Sequence, residues 1–370
     1  MNSGKSDSVF RCIVLSVVKH AYVPNGVANH PRFQLVAVAD DPDQPDWVHE
    51  RNQKYADDRG IPYVRNVEKA IRDFDVQVAV VSPEAERHAN LSVRAAQAGL
   101  HVVQDKPMSN RLAECDRIVQ AVEHNRVKFL LWNRNGIPAI QQAHELLQNK
   151  AIGQPRAIHV DFYFSKDAGP PKGSRQPGES PLNWLEMQIA AHVDGSDGGV
   201  GKDPMGELQI EGIYPLAYIH LLAGLNVNRV FARTTAHFHQ LYVDNDIDDL
   251  ATVTLEMQNG MLGTLSIGRI GAASHPDIGE IKLHILGTEG ALVISEARPE
   301  VGVHYRGQPE KEFRNRRLAI DNDYFLMDNF AQAIDDDGET VLDARAARNI
   351  SAIVAAALES GRTGKPVDVH

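Results

Sequence analysis

A chain of 370 residues is too long for one ordinary hydrophobic core and long enough for two domains. Its 43% hydrophobic and 24% charged content is that of a soluble globular protein, and a net charge of -11, from 38 basic and 49 acidic residues, excludes a nucleic-acid or anionic-membrane partner. The two cysteines, Cys12 and Cys115, sit inside apolar periodic segments, which argues against a disulfide framework and for a reducing cytoplasm. The start, Met1 to Asp7, is polar and lacks the apolar region of a secretory signal, and no apolar run approaches the roughly 20 residues that span a bilayer.

Phe10 to Val18 is a near-continuous apolar run, as expected of a strand buried on both faces of a parallel sheet. A second run, Phe33 to Ala39, ends at Asp40-Asp41, and the stretch between them has room for one helix. Asp40 follows Val18 by 22 residues, close to the spacing at which an acidic side chain reaches the adenosine ribose of NAD and repels the 2′-phosphate of NADP. The phosphate loop is degraded. Where G-x-G-x-x-G/A is expected the chain reads Ser16-Val-Val-Lys-His-Ala21, so Val18 puts a branched side chain where the diphosphate would lie, while Lys19 and His20 are candidate charge-assisted donors or plain loop residues.

Val76 to Val81 predicts another parallel strand, ended by Ser82-Pro83, and a helix from Ala85 stops at Gly99. The run Leu100 to Gln104 then delivers Asp105-Lys106-Pro107 to the sheet edge, with Lys106 kept extended by the proline and a helix expected after Ser109. Val127 to Trp132 closes a doubly wound, Rossmann-like sheet, which sets a dinucleotide-binding domain at 1–131. Residues 132–370 form the second domain, for substrate and self-association. Its helices are expected at 137–149, 208–222 and 344–358, with a strand at 156–164 and antiparallel strands at 251–257, 261–267, 281–286, 291–294 and 302–305. The Gly- and Pro-rich stretch from Ser165 to Pro204 is a long loop of the functional or disordered kind, with a short helix carrying Leu182, Leu185, Ile189 and His192 on one face.

Taken together, these segments resemble the Gfo/Idh/MocA family of NAD(P)-dependent oxidoreductases over essentially the whole chain. The family's Glu-Lys-Pro appears as Asp105-Lys106-Pro107, its Thr-Pro-Asn-x-x-x-His as Ser82-Pro83-Glu84-Ala85-Glu86-Arg87-His88, and its later elements as Asn133-Arg134 with Pro138, Asn259-Gly260 and Leu286-Gly287-Thr288-Glu289-Gly290. The resemblance implies an N-terminal Rossmann domain, a C-terminal α/β domain on a large, mostly antiparallel sheet, and a homodimer or homotetramer. It also implies NAD-linked oxidation or reduction of a sugar, inositol or related polyol, with Lys106 touching nicotinamide and substrate. Ser16, Lys19, His20, Asp40, Ser82, Pro83, His88, Asp105, Lys106 and Arg134 become the candidate cofactor residues; Lys106, Trp184, His192, Tyr214 and His237 the candidate substrate residues. In the family's Asp-x-Gly-x-His/Tyr segment, here Ile210-Glu211-Gly212-Ile213-Tyr214, the tyrosine survives but the aspartate position is Ile210.

Hydride transfer needs a group that gives or takes the hydroxyl proton, and an amine does so at neutral pH when burial or a nearby positive charge lowers its pKa toward about 7 or 8. Lys106 is expected in that catalytic role, or as a fixed charge polarising the carbonyl, with Tyr214 as the second catalytic member. His192 is either a displaced acid/base or a packing histidine. His237 and His239, two apart on an apparent strand, line a pocket or the surface; no metal centre is expected, and Asp244, Asp246, Asp248 and Asp249 read as a solvated turn. Trp184 could stack on a sugar or pack a lid. The alternative function is a non-catalytic ligand-sensing or regulatory relative that keeps the fold, favoured by Val18 and Ile210.

Overall fold

The first strand, β1 (Phe10–Val17), is buried along nearly its whole length, so its hydrogen-bonding partners must lie on both sides. In the computed structural model it is the centre of a parallel sheet, and the structure describes residues 8–18, 20–163, 205–224, 226–238, 240–269, 280–296, 300–306, 313–315 and 321–370. Alternation continues through α1 (Tyr22–Asn29), β2 (Phe33–Ala39), α2 (Asp46–Asp57), β3 (Tyr63–Val64), α3 (Val67–Asp73), β4 (Val78–Ser82), α4 (Ala85–Gln97), β5 (His101–Gln104), α5 (Leu112–Asn125) and β6 (Phe129–Leu131). The six strands lie in the order β3-β2-β1-β4-β5-β6, the doubly wound arrangement whose ligand crevice lies where the order reverses, between β1 and β4. Register pairs Leu15 with Val81, Val81 with Gln104 and Gln104 with Leu131, bringing the carboxyl ends of these strands to one edge. Gly99, just past the C-cap of α4, has a φ of +81° that suits a residue without Cβ. The helix expected after Ser109 begins at Leu112.

The chain divides into two compact units, residues 1–136 with 321–348, and 137–320 with 349–370. A single cut at 131/132 misses the return of 321–348, and burial supplies the reason. Helix α10 (Asn322–Asp335; α7 to α9 follow below) offers Leu326, Met327, Phe330 and Ala331 to the core containing Val27, Phe33, Leu130 and Trp132. Beyond it, Thr340 Oγ1 donates to Phe129 O (2.6 Å) and Leu131 N donates to Leu342 O (3.1 Å), which satisfies the edge of β6.

The second unit holds α6 (Pro138–Gln148), β7 (Pro155–Tyr163), α7 (Glu207–Glu211), α8 (Ile213–Ala223), β8 (Val227–Thr235), α9 (Gln240–Asp244), β9 (Leu250–Met257) and β10 (Leu262–Gly268). It continues with β11 (Glu280–Gly287), β12 (Gly290–Ser295), β13 (Glu300–Tyr305), β14 (Phe313–Asn315) and, after α11 (Ala344–Thr363), β15 (Val367–Asp368). Its nine strands run β14-β13-β12-β11-β7-β10-β9-β8-β15, antiparallel except where β10 meets β7. One sheet face is buried, and β7 packs there against α8. The other face is mixed in character. It carries Thr252, Thr254, Glu256, Lys282 and His284, with His159 Nδ1 hydrogen-bonded to Thr264 Oγ1 (2.7 Å). Its apolar residues include the row Leu262-Ala157-Leu286 on three neighbouring strands, continued by Ala291 on β12, and the exposed Phe231 on β8.

Phe330 is fully buried with its ring 6.1 Å from that of Phe33. Phe330→Ala should destabilise the first unit by about 3–5 kcal/mol in denaturant unfolding, by lost transfer energy plus the cavity left behind. A loss under about 1 kcal/mol would mean that α10 is not part of this core.

Candidate functional site

The bends at the ends of β1, β4 and β5 create the candidate site of the first unit. Ser16, at the first-glycine position of the phosphate loop, keeps the glycine conformation, with φ +65°. Asn52 on α2 holds that bend, accepting from Val17 N (2.6 Å) and donating to Ser16 Oγ (3.2 Å). Val18 is buried, so its branched side chain packs inward rather than filling the groove, and its amide donates to Ser82 O (3.2 Å). Lys19 lies outside the described residues.

The loop is fastened to its neighbours by two further contacts. Ser82 Oγ donates to His20 O (2.7 Å), and His20 Nδ1 meets Asp105 Oδ2 at 2.6 Å. Asp105 Oδ1 accepts from the Tyr22 hydroxyl (3.0 Å) and from Lys106 N (2.8 Å). Burial would raise the pKa of this carboxyl, but the charges of His20, His88 and Lys106 and the His20 hydrogen bond outweigh it and hold it well below the usual range.

Lys106 sits two residues past β5, before a cis peptide bond to Pro107, and is only 3% exposed. The turn beneath it is clamped: His88 Nδ1 lies 2.7 Å from Pro107 O, while Gln104 Nε2 donates to Met108 O (2.8 Å) and Ser92 Oγ donates to Gln104 Oε1 (2.7 Å). Pro83 is buried in the turn between β4 and α4. Arg134 is half-buried after β6, where its charge acts on Asp323 of α10.

Asp40 departs from expectation. The carboxylate is fully buried, accepting from Arg87 Nη1 (2.5 Å), Asn52 Nδ2 (2.9 Å) and Asp41 N (2.8 Å). Arg87 and Glu84 therefore belong to the site although the sequence reading passed over them. Their i,i+3 spacing inside the quoted Ser82 to His88 motif was the available signal; Asn52 and Tyr22 left none.

In the second unit Tyr214 is buried with its ring 6.1 Å from Phe162. Glu211 is tied to Arg269 (3.5 Å), which also binds Glu207 (2.8 Å), so this carboxylate stands in a buried ion cluster. Burial opposes the charge on Arg269, but Glu207, Tyr242 and Glu211 raise its pKa overall. His237 lies beyond the end of β8, exposed, which corrects its assignment to a strand. Two of the supposedly solvated aspartates are structural. Asp249 is buried and accepts from His237 N (2.9 Å) and Phe238 N (2.6 Å), and half-buried Asp248 accepts from Leu208 N (3.0 Å) at the start of α7. Trp184, His192 and His239 lie outside the described residues.

A doubly wound parallel sheet with a glycine-like bend at the end of β1, carrying a buried lysine just past β5, defines a dinucleotide-binding oxidoreductase unit. Residues 16–132 match the family profile "Oxidoreductase family, NAD-binding Rossmann fold", and residues 200–369 match "Oxidoreductase family, C-terminal alpha/beta domain". The chain belongs to the Gfo/Idh/MocA family, and is thereby a nicotinamide-dependent oxidoreductase. It is 22% identical to the uncharacterized oxidoreductase YrbE of Bacillus subtilis over 93% of this chain and 92% of that protein. It is 23% identical to the myo-inositol 2-dehydrogenase of Thermotoga maritima over 62% of this chain and 59% of that one. Among solved structures, levoglucosan dehydrogenase in complex with NADH and levoglucosan matches with a TM-score of 0.79 at 19% identity, covering 98% of this chain and 100% of that chain. An oxidoreductase from Agrobacterium radiobacter, in complex with NAD+, L-tartaric acid and magnesium, matches with a TM-score of 0.78 at 17% identity, over 98% and 99%.

Burial pushes the Asp248 carboxyl up to about 6. Between its unfolded value, about 4, and that folded value the native state keeps a proton the unfolded chain has lost, so this group's contribution to stability falls as pH rises across that window. Asp248→Asn should match the parent near pH 4 and exceed it by about 1–3 kcal/mol above pH 6 in melts run across the range. A stability difference independent of pH would contradict this assignment.

Proposed function

We propose that the protein is an NAD-dependent dehydrogenase acting on one hydroxyl-bearing carbon of a sugar, inositol or related polyol. The observation that carries this reading is Lys106, buried at the carboxyl end of β5 on a turn clamped by His88 and Gln104. Support for the substrate class comes from the relatives, which include myo-inositol 2-dehydrogenase and levoglucosan dehydrogenase. The residues of the first unit fit the dinucleotide: Ser16 retains the glycine bend, and Val18 leaves the groove by packing inward. When bound, the nicotinamide accepts or supplies the hydride.

Lys106 carries the matching proton to or from the substrate oxygen, or fixes a positive charge beside it. Asp105 orients this segment through the Lys106 amide. Ser16 and His20 are proposed to border the diphosphate, and Tyr214 to donate a supporting hydrogen bond to the substrate. Two free, buried cysteines agree with a reducing, cytoplasmic setting, and no helix among the described residues is long and apolar enough to cross a membrane.

Lys106→Met keeps most of the side-chain bulk and removes charge and proton; turnover of a polyol substrate should drop by about 10² to 10⁴ with NAD binding retained. Tyr214→Phe should cost less. Near-normal turnover of Lys106→Met, measured by NADH absorbance, overturns the mechanism.

The open nine-stranded sheet, with Leu262, Ala157 and Leu286 in a row, is proposed as the self-association face. Light scattering at micromolar concentration should report a dimer or larger, and a strict monomer contradicts the proposal.

A further inference from the structure

The acidic residue after the second strand of a dinucleotide-binding sheet is the one expected to meet the adenosine ribose. Here that residue is Asp40, and its carboxylate is already saturated. An ionised carboxylate has roughly four acceptor positions, and Asp40 gives them to Arg87 Nη1 (2.5 Å), Arg87 Nη2 (3.3 Å), Asn52 Nδ2 (2.9 Å) and Asp41 N (2.8 Å). A ribose hydroxyl could bind Asp40 only by displacing one of them.

Arg87 faces outward from this contact. Its Nε and Nη2 donate to the two oxygens of Glu84 (Nη2 to Oε2, 3.1 Å), and Nη2 also lies 3.2 Å from Ser16 Oγ, at the bend of the phosphate loop. The guanidinium is thus held between an inner carboxylate, sealed from solvent, and an outer one that is 24% exposed. Burial opposes its charge, but Glu84 and Asp40 raise its pKa overall and keep it cationic. Glu84 is the N-cap residue of α4, yet its side chain makes no capping hydrogen bond. Its position is set by Arg87, and each of its oxygens keeps an acceptor lobe free of the guanidinium.

We propose that Glu84, tethered by Arg87, is the group that reads the 2′ position of the adenosine ribose, and that Asp40 serves only to anchor the tether. The proposal rests on the dehydrogenase reading above and names the residue that sets its cofactor preference. With Glu84 ionised, the cluster of two carboxylates and one guanidinium carries one net negative charge. It accepts a 2′-hydroxyl and repels a 2′-phosphate. With Glu84 neutralised, the freed face of Arg87 suits a phosphate, which guanidinium groups bind bidentately.

Calorimetric titration of NAD and NADP into the full-length parent, Glu84→Gln, Glu84→Ala and Asp40→Asn tests this. Both Glu84 variants should lower the ratio of the NADP to the NAD dissociation constant by about tenfold or more, while Asp40→Asn changes it far less. Both Glu84 variants leave Arg87 paired with Asp40, so no buried ion is stranded, and Glu84→Gln keeps an acceptor for the guanidinium; a melt of each variant checks that it is folded, and either alone suffices for the comparison. A ratio that shifts in Asp40→Asn but not in the Glu84 variants returns the role to Asp40, and one that moves in none of them overturns the proposal. A parent that binds neither dinucleotide overturns the dehydrogenase reading along with it, whereas NAD binding with an unmoved ratio overturns this proposal alone.

Discussion

The first unit's site depends on one buried anion. Asp105 takes hydrogen bonds from the Tyr22 hydroxyl and the Lys106 amide and pairs with His20, so a single carboxylate joins the loop after β1, the first turn of α1 and the end of β5. A fully buried charge is tolerated only when its acceptor positions are filled, and removing one partner leaves an uncompensated ion. That requirement fixes the turn bearing Lys106 relative to the phosphate loop. A lysine on a free loop would have the same chemistry without the placement.

The same constraint recurs wherever acidic groups are buried. Asp40 is matched by Arg87 and Asn52, and Glu207 and Glu211 by Arg269. Such clusters add little net stability over apolar packing of equal volume, because desolvation cancels most of the attraction. What they supply is geometry: each forces its elements into one arrangement, since any other strands a charge. Arg87 thereby links β2, α4 and the bend at Ser16.

Relatives at about one-fifth identity share the architecture over nearly the whole chain, while the phosphate loop has lost both its leading glycines. The bend survives because backbone conformation, not residue identity, is the physical requirement. A serine can occupy positive φ at a modest cost when its surroundings over-determine it, and here Asn52 bonds both the following amide and the serine hydroxyl. Val18 is compatible with the groove for a related reason, since its side chain turns into the core.

The sequence by itself determined the strand order's raw material. Continuous apolar runs at β1, β2, β4 and β5 announce a parallel sheet, alternation announces the antiparallel one, and Asp105-Lys106-Pro107 marks the reactive strand end. These signals are local, because burial on one or two faces writes itself into residue period. Tertiary structure alone decided that α10 returns to the first core, that Asp248 and Asp249 are anchors instead of solvated turn residues, and that Arg87 closes over Asp40. None of these has a period to read. Arg87 and Asp40 are 47 residues apart, and their pairing exists only because parallel strands bring β2 and the start of α4 to the same edge, where a buried carboxylate must find a cation.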